Sequence, residues 1–373
     1  MNVPKIRYDN FTKEWEKVKL SSQASFLQGL TYTPNDVSND GTIVLRSSNI
    51  QNSMVDYNDI VRVNIIIPEK LKIKENDILM CVRNGSKSLV GKTAWLSKNE
   101  EKCTWGAFMN IIRPKEKNKF VYYYLNSKYF YNHVWKDLGT ATVNQITKQT
   151  LESCYLNIPS IEEQEKIGKT LSLLDQKIKL QNKKIEDLKL FTKNTISNEL
   201  NNLQNYNIFK FKDICNIQTG KSNTQDKCDD GIYPFYIRSE NIERSNNYIF
   251  DCEAVLTIGD GNIGKVFFYE NGKFDCHQRV YVLNNFKNVL GKYVYYYFSA
   301  FFYKRAMSMS AKNTVDSVRM EMISDMIIKV PQEKEQIKMI NLFSSLDKKL
   351  GLEQNKLDKL QELKKGLMQN MFV

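Results

Sequence analysis

The chain has 373 residues, 42% hydrophobic and 26% charged, with a net charge of +12. That length suits about two or three domains, and with no membrane-length apolar run and no signal core in MNVPKIRYDNFTKEWEKVKL, a cytoplasmic protein is expected. Seven cysteines without a CxxC pair read as reduced structural thiols, and two histidines without ligand spacing, His133 and His277, argue against a metal site.

Residues 1–158 mix short strand-like runs with turns: GTIVLRSSNI, VRVNIII, DILMCVRNG, KTAWL and FMNIIRP. A helical, aromatic-rich stretch follows, NKFVYYYLNSKYFYNHVWKDL. Its tyrosines recur at helical spacing and are expected in the core rather than on a stacking surface.

Residues 159–204 predict one long helix. Apolar side chains fall at Ile167, Leu171, Leu174, Ile178, Ile185, Leu188 and, weakly, Thr192. Steps of four and three make a coiled-coil seam, broken once by the polar Gln181. Pro159 precedes the helix, and Glu162, Glu163 and Glu165 suit the positive end of its dipole. A long helix with one apolar seam needs a partner helix.

Residues 205–329 then repeat the first unit. Arg46-Ser47-Ser48-Asn49-Ile50 returns as Arg238-Ser239-Glu240-Asn241-Ile242, Gly91-Lys92 as Gly264-Lys265, and the tyrosine run at 122–124 as that at 295–297. Residues 330–373 repeat the helix at an offset of 172: Pro159 with Pro331, Gln164 with Gln336, Asp175 with Asp347. The seam repeats as Met339, Phe343, Leu346, Leu350, Leu357 and Leu360, with Glu353 opposite the gap. The helix-pairing set is Leu171, Leu174, Ile178, Gln181 and Ile185 with Phe343, Leu346, Leu350, Glu353 and Leu357. The two helices carry +1 and +2, leaving +9 on the globular units, which suggests a polyanionic partner.

Familiar catalytic patterns fail on context. GDGNIGKV (259–266) matches several glycine signatures, but a strand-like VFFYE follows where a phosphate-binding turn must open a helix. A glycine hairpin is expected instead. Kinase His-Arg-Asp and Asp-Phe-Gly strings, the Pro-Pro motif of amino-methylating DNA methyltransferases, and a G-x-S-x-G elbow are all missing. The expectation is a chain with no catalytic residues and no metal.

The loops carry side chains suited to DNA. TGKSNT (219–224) and GLTYTPN (29–35) offer hydroxyls and backbone N–H groups to phosphates. Arg46 and Arg238 suit guanine; Asn49, Asn241, Asn144, Gln145 and Gln278 suit adenine. The full candidate set is Arg46, Ser47, Asn49, Arg83, Asn84, Lys87, Lys92, Thr140, Thr142, Asn144 and Gln145 in the first unit. In the second it is Lys221, Ser222, Asn223, Thr224, Arg238, Ser239, Asn241, Asn262, Lys265, Gln278, Arg279, Lys312 and Asn313. Specificity is expected where the copies differ, as at Asn144 and Gln145 against Asp316 and Ser317, or Trp105 and Gly106 against His277 and Gln278.

The whole pattern resembles the specificity subunit of type I restriction–modification systems. The resemblance rests on VPKIRYDNFTKEWEKVKL, the Thr219-Gly220 loop, Gly139-Thr140 leading to Ile146, and IPSIEEQEKIGKTLSLLD with its echo VPQEKEQIKMINLFSSLD; GLTYTPN departs from the Thr-Gly pattern. It implies an α+β fold: two duplicated target-recognition domains (1–158 and 205–329) joined by two long helices (159–204 and 330–373) in an antiparallel coiled coil with a pseudo-two-fold axis. Gln181 and Glu353, each near its helix midpoint, are then expected to face one another. The resemblance further implies that each domain reads half of a bipartite site in double-stranded DNA. Two methyltransferase subunits would bring S-adenosylmethionine, and a restriction subunit, where present, ATP and magnesium; this chain itself would carry no cofactor. A protein-binding coiled-coil adaptor, or a nucleotide-binding enzyme using the 259–266 hairpin, are the alternatives.

Overall fold

A two-stranded ribbon ties together the ends of each globular region. Glu16–Lys19 pairs antiparallel with Tyr155–Ile158, Glu16 opposite Ile158; Asn207–Lys210 pairs with Ile327–Val330, Asn207 opposite Val330. A one-turn helix follows the first strand in each case, Leu20–Gln23 and Phe211–Ile214, and buries its leading apolar residue. The computed structural model describes residues 3–138, 144–309 and 317–373. It divides into two compact units: Met1–Gln181 with Lys356–Val373, and Asn182–Asn355.

The same four-stranded antiparallel order recurs in both units. In unit 1 it is Ala24–Gln28, Met109–Pro114, Ile78–Cys81 and Thr93–Trp95; in unit 2, Asn216–Thr219, Val280–Asn284, Phe250–Ile258 and Phe267–Cys276. The units diverge beyond that order. Unit 2 extends the sheet with Tyr233–Tyr236 and Ile242–Ser245, whereas unit 1 builds a second four-stranded sheet in which Cys103–Trp105 runs parallel to Thr42–Leu45. The residues of GDGNIGKV turn between two antiparallel strands, with Thr257 opposite Phe267, and Gly261 and Gly264 take positive φ of 78° and 66°. No helix opens there, so the phosphate-cradle geometry is missing.

The tyrosine runs lie on helices that pack on these sheets. Phe120–Leu125 is buried at every position, and Gly291–Ser308 buries Tyr293, Tyr296 and Tyr297. Their hydroxyls find partners: Tyr124 donates to the Tyr155 carbonyl at 2.7 Å and Tyr293 to that of Lys329 at 2.6 Å. An aromatic ring can be buried cheaply only when its polar end is bonded in this way.

The long helices run over Ile161–Asn201 and Glu333–Asn370. Leu171, Leu174, Ile185, Leu188 and Thr192 are buried along the first, and Met339, Phe343, Leu346, Glu353 and Leu357 along the second, as the seam spacing requires. Ile178, Gln181 and Leu350 are half-buried. In unit 1 Asp175 pairs with Lys364, while Ile167 and Leu171 share a core with Met368 and Met371, so the helix segments there run antiparallel. In unit 2 Lys184 pairs with the buried Glu353 at 3.0 Å, and Leu200 shares a core with Met339 and Phe343, again antiparallel.

The residues repeated at 172 have matching roles. Gln164 Nε2 donates to the Pro159 carbonyl at 3.0 Å and Gln336 Nε2 to that of Pro331 at 2.9 Å. Gln336 Oε1 also accepts from the Leu290 N–H at 2.9 Å. Each glutamine is buried and welds the start of its helix to the globular region. Tyr123 donates to Asp175 at 2.7 Å, and Tyr296 to Asp347 at 2.6 Å, one turn or more further along.

Candidate nucleic-acid interface

Three loops converge at one end of the unit 1 sheets. The turn after Thr42–Leu45 brings Arg46–Asn49, the turn after Ile78–Cys81 brings Arg83–Lys87, and Asn144 and Gln145 join them. Asn84 Nδ2 donates to Ser47 Oγ at 3.0 Å, and Asn144 Nδ2 to the Gly85 carbonyl at 3.1 Å. Arg83 and Gln145 form an antiparallel bridge, and the Ile146 N–H donates to the Val82 carbonyl at 2.7 Å. The Arg83 guanidinium lies 5.1 Å over the ring of Phe108, which is 58% exposed.

Unit 2 assembles the equivalent loops with other side chains. Arg238 Nη1 meets Asp260 Oδ2 at 3.3 Å, and Asp260 bridges to Ser317 as Arg83 does to Gln145. Gln278 Nε2 donates to Asn223 Oδ1 at 2.7 Å, which ties the TGKSNT loop to the 276–279 turn. His277 is buried, and its Nδ1 accepts the Arg279 N–H at 3.0 Å, leaving the proton on Nε2. Burial first, and then the Arg238 charge, holds this imidazole below its usual range, so it stays neutral.

Several residues of the sequence-derived set belong to the scaffold instead. Asn49 is fully buried; its Oδ1 accepts the Arg46 N–H, and its Nδ2 donates to the carbonyls of Asp56 and Asp59. It has nothing left for a base. Lys92 Nζ donates to the Ile50 carbonyl at 2.8 Å, and Ser222 Oγ to buried Asp275 at 2.8 Å. Burial pushes that carboxyl upward, and the Ser222 hydrogen bond partly opposes the shift. Ser239 is bonded within its own turn to Asn241. Arg46 is partly exposed and pairs with the exposed Asp59 at 2.8 Å, as Arg238 pairs with Asp260, so it stays at the loop surface. Gly220, in the loop expected to meet phosphates, lets two backbones approach closely. A Cβ there would sit 2.0 Å from the Cys276 carbonyl oxygen, and one at Gly29 2.1 Å from that of Gly106. Only glycine fits at either position.

Arg83, Gln145, Lys221, Asn223, Thr224, Arg238, Asn241, Asn262, Lys265, Gln278 and Arg279 are exposed, and Ser47, Asn84, Lys87 and Asn144 partly so. Lys87 lies 4.6 Å over the Trp135 ring. Thr140, Thr142, Lys312 and Asn313 lie outside the described residues. Phe108 and Asp260 were not foreseen; Phe108 opens a strand-like run and Asp260 sits among glycines, so neither differs from ordinary turn chemistry in sequence. Beside the unit 2 loops, Lys193, Lys265 and Lys304 line a cleft of about 660 Å³ with Phe267, Tyr295 and Tyr303. Lys265 Nζ lies 5.6 Å from the Tyr303 ring centroid. Among the described residues no cluster of His, Cys, Asp and Glu has a metal-holding arrangement, and no helix is long and apolar enough to cross a membrane.

Asn49→Ala leaves the Arg46 N–H and the Asp56 carbonyl without their partner, at about 1–3 kcal/mol for each buried group. Hydrogen exchange over residues 46–59 should rise sharply, while the order of preference among DNA sequences stays the same. A changed base preference would return Asn49 to the contact set.

The description "Type I restriction modification DNA specificity domain" fits this chain twice, over residues 12–190 and 204–362. Among characterised relatives, the type I restriction enzyme StySPI specificity subunit of Salmonella potsdam is 29% identical over 167 residues, 43% of this chain and 36% of that protein. The EcoKI specificity subunit of Escherichia coli K12 matches to the same extent. The match thus spans about a third of these relatives' length. The S subunit of the type I restriction–modification system of M. genitalium shares the fold, with a TM-score of 0.62 at 15% identity, over 100% of this chain and 99% of that one.

Proposed function

From the premise that this chain belongs to the type I restriction–modification DNA specificity family, we propose that it is the non-catalytic, sequence-reading subunit of such a complex. Each unit would read one half of a split site in double-stranded DNA. The observation that carries this reading is one loop framework built twice with different side chains: exposed Arg83, Phe108 and Gln145 in unit 1, and exposed Arg279 and Gln278 beside the half-buried Asp260 in unit 2. A guanidinium donates to the acceptors of guanine, whereas a carboxylate accepts from an amino group such as that of cytosine, so the two halves would differ in sequence. Exposed Leu180 and Leu363 in unit 1, and Phe191 and Leu352 in unit 2, offer apolar helix surface to two methyltransferase subunits. Those partners would supply S-adenosylmethionine, and a restriction subunit would supply ATP and magnesium chemistry. A cytoplasmic setting follows from such a role.

Replacing residues 205–329 with the equivalent region of another family member, in cells with the matching methyltransferase, should change one half of the methylated motif and leave the other intact. A continuous motif, or a change in both halves, would overturn the reading.

Lys193, Lys265 and Lys304 would neutralise backbone phosphates beside the unit 2 loops. Lys265→Ala should weaken binding to all sequences alike and reduce the slope of log affinity against log salt by about 1. Unchanged affinity and slope would leave the hairpin as scaffold alone.

A further inference from the structure

The starts of the two long helices are equivalent, yet among the described residues only one is covered. In unit 1 an arm over residues 3–14 lies along the helix face of Glu163, Lys166 and Thr170. Arg7 Nε and Nη2 each donate to Glu163 at 2.8 Å, and Glu163 is only 1% exposed. Tyr8 and Thr170 share a hydroxyl hydrogen bond of 2.6 Å, and Lys166 Nζ stands 4.3 Å over the Tyr8 ring and 5.6 Å over that of Phe11.

At the offset of 172 the same face in unit 2 is Glu335, Lys338 and Leu342. Among the described residues no arm lies there. Glu335 and Lys338 pair with each other at 2.9 Å, with side chains 45% and 64% exposed, and Leu342 is 41% exposed. Beside them, at the helix start, a cleft of about 810 Å³ is lined by Asn205, Tyr206, Asn207, Pro331, Gln332 and Glu333 among others. Its unit 1 equivalent, about 440 Å³, has Arg7 and residues 10–14 in its wall.

We propose that this face of unit 2 is a docking site for an extended segment of a partner protein, one that carries an arginine followed directly by an aromatic residue. The chain's own arm shows the chemistry. The arginine displaces Lys338 from Glu335 and takes the carboxylate in two parallel hydrogen bonds, a geometry that lysine cannot match. The aromatic ring covers Leu342, which replaces the polar Thr170 and makes this face the more apolar of the two. A second copy of the chain is a poor occupant, because its arm is held by the buried Arg7–Glu163 pair and leads directly into Trp15, 2% exposed in the core. Such docking is independent of the DNA-reading role.

The test uses the full chain and a fluorescent peptide of residues 3–14, VPKIRYDNFTKE, as probe. Saturable binding is expected, weakened about tenfold or more by Glu335→Lys, since removing one member of a close charge pair has that order of effect. A peptide with Arg7→Glu should bind poorly to the unaltered chain and recover on Glu335→Arg. A photo-crosslinker at peptide position 8 should label residues 335–342. No saturable binding up to about 1 mM, indifference to Glu335→Lys, or labelling confined to residues 163–170 would overturn the proposal. Both substitutions fall on an exposed helix surface, so far-ultraviolet circular dichroism should match that of the unaltered chain. DNA binding by the same variants reads the other proposal separately.

Discussion

Phe372→Ala should cost about 3–5 kcal/mol in unit 1, the range for removing a fully buried aromatic ring. Phe372 is 1% exposed and packs against Phe120 and Tyr124, with ring centroids 5.3 and 6.5 Å away. Nothing else in the segment can fill that space, because Met368 and Met371 already occupy their own places in the same core. The backbone there is held as well: the Ile6 N–H donates to the Asn370 carbonyl at 3.0 Å. Since the chain has two compact units, a single melting temperature is a poor gauge. Hydrogen exchange of residues 120–125 is the better measurement, and its protection should collapse while that of residues 291–308 holds. Phe191→Ala is the control, a ring 58% exposed, with an expected effect within about 0.5 kcal/mol. If both variants behave alike, the C-terminal segment does not complete the unit 1 core.

Gln336→Leu should be nearly as damaging, at about 2–5 kcal/mol, for a different reason. Leucine fits the volume, but the Leu290 N–H and the Pro331 carbonyl lose the partners that held them at 2.9 Å. Gln164→Leu should cost less. Its second bond, from Asn118 Nδ2, is 3.4 Å long, and Asn118 can turn to solvent when it is lost. Exchange rates over residues 333–340 and 161–168 should therefore rise unequally, the former more. Equal effects would mean that the two helix starts are welded by the Pro carbonyl alone.

These two residues also mark what could and could not be read from the sequence. The seam and the buried tyrosines were legible as periodic patterns within a short stretch, and the duplication as matched strings at an offset of 172. Gln336 was legible as a repeat of Gln164, yet its bond to Leu290 spans 46 positions and leaves no pattern. Asn49 shows the same limit more sharply. An Asn in an Arg-Ser-x-Asn loop has the chemistry to bind adenine, and only the positions of the Asp56 and Asp59 carbonyls turn it inward. Its counterpart Asn241 is exposed. Met368 and Phe372 lie off the seam, so the heptad reading passes over them, while Met371 keeps the register of Phe343, Leu350 and Leu357. The offset of 172 could have found both, since Met368 and Phe372 correspond to Ile196 and Leu200, which pack in the unit 2 core.

The correspondence of Phe372 with Leu200 has a consequence for synthesis on the ribosome. Leu200 is translated before the unit 2 strands it will pack against, so that core finds its helix end waiting. Unit 1 is in the opposite position. Its sheets and tyrosine helix emerge early, but Met368, Met371 and Phe372 follow the unit 1 part of the first long helix by nearly half the chain. At 5–20 residues per second the nascent unit 1 stands with an open core for roughly 10–40 s. During that interval Phe120 and Tyr124 are available to chaperones or to a neighbouring nascent chain.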